Sequence, residues 1–197
     1  MPMQTGDTAL TQGTRCAVRP LLAALLLAAL LAASLPAEAK TPDWKAAKPA
    51  AVLENLKMPL DIELAPDGSI VFAELAGNVS RHDPATGQTT RMHEVQDVVT
   101  GGERGLVGLA LSRDFAKSGT YFLYYTQRTD DPDGGINRLV RVTDGKETLL
   151  VTVPGWKEHN GGRIVVAPDG TLFVGTGENQ KRDPAQDTAS LLGKVLR

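Results

Sequence analysis

Hydrophobic and polar positions alternate in short runs along most of this chain, and each run stops at a turn signal. Asp61-Ile62-Glu63-Leu64 leads into Ala65-Pro66-Asp67-Gly68 and then into the run 69–74. Gly108-Leu109-Ala110-Leu111 leads into Ser112-Arg113-Asp114-Phe115 and the run 120–126, and Arg163-Ile164-Val165-Val166 into Ala167-Pro168-Asp169-Gly170 and the run 171–175. Each predicts a strand, a tight turn and a second strand, with Pro, Asp and Gly where turn chemistry wants them. The turn aspartates Asp67, Asp114 and Asp169 lie 47 and 55 residues apart. A period of about 40–50 residues made of short strands is the signature of a β-propeller with four-stranded blades.

Further hairpin signals at Ala76-Gly77-Asn78, Pro84-Ala85-Thr86-Gly87 and Thr143-Asp144-Gly145 supply outer strands. These fall at 79–82 and 88–95 in the first blade and at 137–142 and 147–153 in the second. Helical periodicity is absent from residue 40 onward, apart from a turn or two within 185–192. The expected fold class is all-β, about two and a half propeller blades over residues 51–197, the third blade holding only its first two strands. Such an arc leaves strand edges unpaired, so the expectation is the amino-terminal part of a longer ring.

The start of the chain follows a different pattern. Arg15 and Arg19 precede an unbroken Leu/Ala run over 21–33, followed by Ser34-Leu35-Pro36 and the small-x-small group Ala37-Glu38-Ala39. A cationic start, an apolar stretch shorter than the ~20 residues that span a bilayer, and a cleavage site predict a signal peptide over 1–39. Residues 40–50, with Pro42 and Pro49, read as a linker. The expected location is secreted or periplasmic, with no stable membrane insertion after cleavage. The single cysteine, Cys16, leaves with the signal, so the exported protein carries no disulfide or thiolate metal site.

Composition narrows the partners. The chain has 197 residues, 21 Lys plus Arg against 23 Asp plus Glu, and a net charge of −2. That balance offers no general attraction to nucleic acid. With two Trp, three Tyr and four Phe, a base-stacking surface is not expected either. No Gly-x-Ser-x-Gly elbow and no His-Glu-x-x-His helix motif occurs, so serine-hydrolase and zinc-protease readings lack their usual residues.

Candidate chemistry gathers where the repeats begin. Glu158-His159-Asn160-Gly161-Gly162-Arg163 stands directly before the third repeat, and Gly101-Gly102-Glu103-Arg104-Gly105-Leu106 holds the same place before the second. In a propeller both would face one axial cavity, His159 and Glu103 coming from neighbouring blades. A histidine can take the proton of an alcohol as its carbon loses hydride, and Gly161-Gly162 would permit close approach of a flat ligand. Glu103 and Arg104 are also spaced to pair with each other on the surface. The oxygen-rich stretch 175–187 suits turns and caps better than a calcium loop. His82 and His93 fall on outer strands, away from any site.

Taken in order, these motifs resemble one family. They are Gly102 to Leu111 with Asp114-Phe115, Tyr121 to Thr126, His159 to Arg163, Ala167 to Gly177, Asp183 to Gln186, and Leu191 to Arg197. Over about residues 50–197 they are similar to the soluble glucose/sorbosone dehydrogenases, the quinoprotein aldose sugar dehydrogenases. The resemblance implies a six-bladed, periplasmic propeller that uses pyrroloquinoline quinone (PQQ) and calcium. Such an enzyme oxidises the anomeric hydroxyl of an aldose to a lactone and passes electrons to a soluble acceptor. It implies His159 as catalytic base, Glu103 at the cofactor, Glu158 orienting the sugar or the base, Asn160 at the sugar, and Arg163 as a structural residue. The metal ligands stay unassigned, and the family's basic quinone clamps come from later blades. The expectation is therefore a quinoprotein dehydrogenase fragment, inactive alone. Two other readings stay open: a non-catalytic extracellular propeller module, or a propeller lactonase with a metal cage drawn from Glu103, Glu158 and Asn160.

Overall fold

The computed structural model describes residues 45–197. The proposed signal peptide and the first residues of the proposed linker lie outside the described residues. The chain divides into Met1–Pro49 and Ala50–Arg197, and the second unit contains every strand described below.

Three antiparallel sheets follow one another. The first is β1 (Pro59–Leu64), β2 (Ile70–Glu74), β3 (Asn78–Asp83) and β4 (Gln88–Glu94), paired strictly in chain order. The second repeats the plan with β5 (Leu106–Leu111), β6 (Tyr121–Gln127), β7 (Gly135–Thr143) and β8 (Lys146–Gly155). The third holds β9 (Gly161–Val166), β10 (Leu172–Thr176) and the two-residue β11 (Val195–Leu196). Two short helices interrupt the strands, α1 (Phe115–Ser118) and α2 (Arg182–Gln186). The inner strands lie side by side, β1 against β5 and β5 against β9. Meanders stacked around their first strands are propeller blades.

Side-chain alternation explains the stacking. In β6, Tyr121, Leu123 and Tyr125 enter a core with Val71, Val79, Leu106 and Leu109, which fills the space between the first two sheets. The intervening Phe122 and Tyr124 point the other way, into a core with Ala110, Leu139, Ile164 and Val174 against the third sheet. A strand buried on both faces needs an aromatic or aliphatic run, and Tyr121 to Tyr125 supply it, while the buried Thr126 that follows is satisfied by Asn137. On β1, Asp61 turns toward β5 while Ile62 and Leu64 stay exposed.

The repeat is carried by the turns. Ala65 and Ala167 open turns in which Gly68 and Gly170 take φ of +84° and +85°. In both, an aspartate (Asp67 or Asp169) accepts the backbone N–H two residues on. The second blade departs from the tight turn read at Ser112–Phe115 in sequence: nine residues intervene between β5 and β6, and Phe115–Ser118 winds one helical turn that ends at Gly119, φ +61°. The third blade has three strands, one more than expected, because Val195–Leu196 returns to β10. The helical turn placed at 185–192 falls earlier, at Arg182–Gln186. There Pro184 sits in the first turn, where no backbone N–H is needed.

Candidate active site: a clamped histidine at the blade lead-ins

Each inner strand enters its sheet with a register shift. It falls between Pro59 and Asp61, between Leu106 and Gly108, and opposite Val174–Thr176 on β9. This common irregularity brings the lead-in segments of the second and third blades together, and His159 lies there. Its φ is +58°, a conformation unusual for a residue with a side chain. Three neighbours hold it so. Glu103, from the second blade, accepts the His159 backbone N–H at 2.6 Å, while the Glu103 backbone N–H donates to Lys157 O at 2.8 Å. The His159 carbonyl accepts from Asn179 N at 3.2 Å. The ring Nδ1 is bonded to the Glu178 carboxylate.

His159 and Glu103, paired in the sequence reading, are in direct contact. Glu178 was missed as the ring's partner, although the hairpin register contains it. Gly161 pairs with Thr176 across β9 and β10, so two residues before one faces two residues after the other. Glu158, expected beside the base, instead accepts from Gln180 Nε2 at 2.6 Å, so the acid that orients the ring is Glu178.

Asn160 does not face a substrate. It is 1% exposed, and its side-chain oxygen accepts Trp156 N at 2.9 Å and Asn137 Nδ2 at 3.1 Å. Its amide donates to Trp156 O at 2.6 Å. A side chain with both ends spent inside the protein is a scaffold residue, and it is not available to the lactonase metal cage. The glycines also act differently from expectation. A side chain on Gly161 would strike the backbone of Gly175 and Gly177, and one on Gly162 would strike Val107 and Tyr124. They let strands of the protein approach each other, not a flat ligand.

Glu103 and Arg104 do not pair. Arg104 is buried and donates to the carbonyls of Gly101, Pro132 and Gly134. Arg163 is structural, as read: it meets Asp61 at 3.0 Å, and Asp61 also accepts Leu109 N at 2.9 Å, tying the inner strands of three blades. His82 bonds Thr89 within its own blade, and His93 bonds Glu147.

The electrostatics suit proton transfer. The hydrogen bond to Glu178 holds the His159 pKa above the usual imidazole range, with Glu178, Glu103 and Glu158 adding to the effect. The same bond holds Glu178 below the usual carboxylate range. With Nδ1 committed to Glu178, Nε2 is the nitrogen left to meet a substrate hydroxyl, the arrangement of an oriented general base.

The donor set is a poor match for the quinone the resemblance implies. PQQ is a polycarboxylate, and the groups around His159 are three carboxylates. The neighbouring lysines are turned elsewhere, Lys157 to Asp133 at 3.4 Å and Lys181 over the Trp156 ring at 5.9 Å. Among the described residues no three His, Cys, Asp or Glu side chains converge as metal ligands.

The family described as Glucose / Sorbosone dehydrogenase matches residues 56–197. The aldose sugar dehydrogenase YliI of Escherichia coli (strain K12) is 33% identical over 155 residues, covering 73% of this chain and 42% of that protein. Quinoprotein glucose dehydrogenase B of Acinetobacter calcoaceticus is 29% identical over 180 residues, covering 74% of this chain and 38% of that protein. The PQQ-bound aldose sugar dehydrogenase of Streptomyces coelicolor superposes with a TM-score of 0.62 at 33% identity, over 75% of this chain and 46% of that one. The chain thus spans about two-fifths of the length of these curated relatives, and its blades are those of a propeller.

Proposed function

The chain belongs to the glucose / sorbosone dehydrogenase family, and from that premise we propose that it carries the proton-accepting part of a quinoprotein aldose dehydrogenase, exported from the cytoplasm. The observation that supports this most directly is the threefold hold on His159. Glu103 fixes its backbone from the neighbouring blade, Asn179 fixes its carbonyl, and Glu178 fixes its ring.

In this reading His159 Nε2 takes the proton of the anomeric hydroxyl of an aldose. Glu178 stabilises the imidazolium that results, as a carboxylate behind a catalytic histidine does. Glu103 is a positioning residue, and Glu158, partly exposed beside the ring, is left to meet sugar hydroxyls through its second oxygen. The hydride that must leave the carbon needs an acceptor. The relative from Streptomyces coelicolor is PQQ-bound by its description, but the carboxylates here do not form a clamp for that group, and no step is assigned to it.

The reading therefore expects these 197 residues alone to show no turnover. Purified chain supplied with PQQ, calcium and a panel of aldoses should leave a redox dye oxidised; sustained dye reduction would overturn this. The base assignment is tested separately by NMR titration of the His159 ring. Its pKa should lie above that of a free imidazole and fall in Glu178→Gln. A His159 titration unchanged by that substitution would remove Glu178 from the site.

A further inference from the structure

The opposite ends of the strands hold a cleft of about 680 Å³ between the second and third blades. Two arginines line it, Arg113 after β5 and Arg141 on β7. It is separated from the His159 lead-in by the length of β5, roughly 20 Å at ~3.3 Å per residue.

The blade repeat shows what is unusual about Arg141. On β3 the homologous residue is Arg81: Arg81 faces Val71 and Arg141 faces Phe122, each opposite the second residue of its blade's second strand. In the first blade Arg81 is neutralised, bonded to the turn aspartate Asp67 and, at 2.7 Å, to Ser69 Oγ. In the second blade α1 is inserted into that turn. Asp114 accepts from Ser112 Oγ at 2.7 Å and Ser118 Oγ at 3.1 Å instead. Arg141 is left with no hydrogen-bond or ion-pair partner among the described residues, and so is Arg113.

The rest of the lining adds to the donor surplus. Thr120 and Thr143 share one hydrogen bond between their hydroxyls, 2.9 Å long, so one hydroxyl hydrogen of the pair is unspent. Two acids share the lining: Asp114 is held as above and Asp169 accepts Thr171 N at 2.9 Å. Because these bonds hold both carboxyls below their usual range they stay ionised, so the arginines must outweigh two fixed negative charges through their free donors. Two unpaired guanidinium groups and a spare hydroxyl donor suit an oxyanion, which guanidinium binds by charge-assisted, often bidentate bonds.

We propose that this cleft is a binding site for a phosphate-type oxyanion, free or esterified to a sugar, created when α1 draws Asp114 away from Arg141. The test is an NMR titration of the chain with inorganic phosphate, chloride holding the ionic strength constant. Saturable shifts are expected at Thr143, Gly170 and their neighbours. Arg141→Gln should weaken binding by about tenfold or more, the loss of one charge-assisted contact, and Arg113→Gln by a similar or smaller factor. Arg81→Gln, in the blade whose arginine is already neutralised, should change nothing. A parallel titration with glucose 6-phosphate separates the sources: tighter binding marks a sugar ester, equal or weaker binding the free anion. No saturable response to phosphate, or an Arg141→Gln variant that binds as well as the parent, would overturn the proposal.

Discussion

The two junctions between blades are built from different materials. Between the first and second sheets the contact is a broad apolar cluster, with Leu106, Leu109, Leu123, Val71 and Val79 all fully shielded from solvent. Between the second and third the apolar cluster is smaller, and a buried polar chain runs beside it. Thr126 donates to Asn137 at 2.7 Å, Asn137 to Asn160 at 3.1 Å, and Tyr124 OH to the Asn160 carbonyl at 3.2 Å. Apolar packing holds surfaces together but tolerates sliding and substitution of like volume. A chain of buried hydrogen bonds is directional and intolerant of partial loss. The polar junction is the one that carries His159, one residue from Asn160. The comparison teaches that stability resides at one junction and placement of the candidate base at the other.

The largest effect should come from emptying the apolar junction. Leu109→Ala removes a side chain with no solvent exposure and should cost about 2–5 kcal/mol, read as a lower midpoint in urea denaturation. Because the loss is at the first junction, the environment of Trp156 in the native baseline should stay as in the parent. Next comes Asn160→Leu at the polar junction. It removes one of the two acceptors of Asn137 Nδ2, which keeps Pro154 O at 3.4 Å, and both partners of the part-buried Trp156 backbone, at about 1–3 kcal/mol in total. Here the native fluorescence of Trp156 should change, and so should the titration of His159. If Leu109→Ala moved the His159 titration and Asn160→Leu did not, the division between the junctions would fail.

Much of this arrangement was legible in the residue pattern. The strands of the first two blades follow from alternation and from turn residues whose chemistry admits few conformations, and the Ala-Pro-Asp-Gly turns form as read. The meeting of Glu103 and His159 also followed, since both precede an inner strand and inner strands of adjacent blades must be neighbours. What stayed hidden depends on register or on competition between partners. Glu178 faces His159 only because Gly161 pairs with Thr176, a register fixed by the β9 bulge. Asn160 looks like a ligand-binding residue in sequence, and only burial shows that its amide is spent on Trp156 and Asn137. Ser112-Arg113-Asp114-Phe115 resembles the other turns, yet Ser118 and Gly119 allow a helical turn that redirects Asp114.

The smallest effect concerns a polar fastening at the rim of the apolar junction, and pH is the way to read it. Glu147 on β8 accepts from His93 of β4 at 2.8 Å and from Tyr125 of β6 at 2.8 Å, with Arg138 and Tyr121 as its other charged or titratable neighbours. The His93 bond holds Glu147 below the usual carboxylate range against the opposing effect of burial, with help from Tyr125 and Arg138. A carboxylate depressed in the folded state contributes stability above its unfolded pKa and loses it as pH falls through the folded value. Glu147→Gln should therefore lose about 0.5–1.5 kcal/mol near neutral pH, and the gap to the parent should close below pH 4.5, the ordinary value for this group. The alkaline side gives an independent reading. Tyr125 is pushed up to about 12, by burial first and by Glu147 second, so the substitution should lower its spectrophotometric titration only partway toward 10. A gap that persists unchanged in acid would show that Glu147 acts there by packing alone, leaving the Asp61–Leu109 bond as the charged tie across the apolar junction.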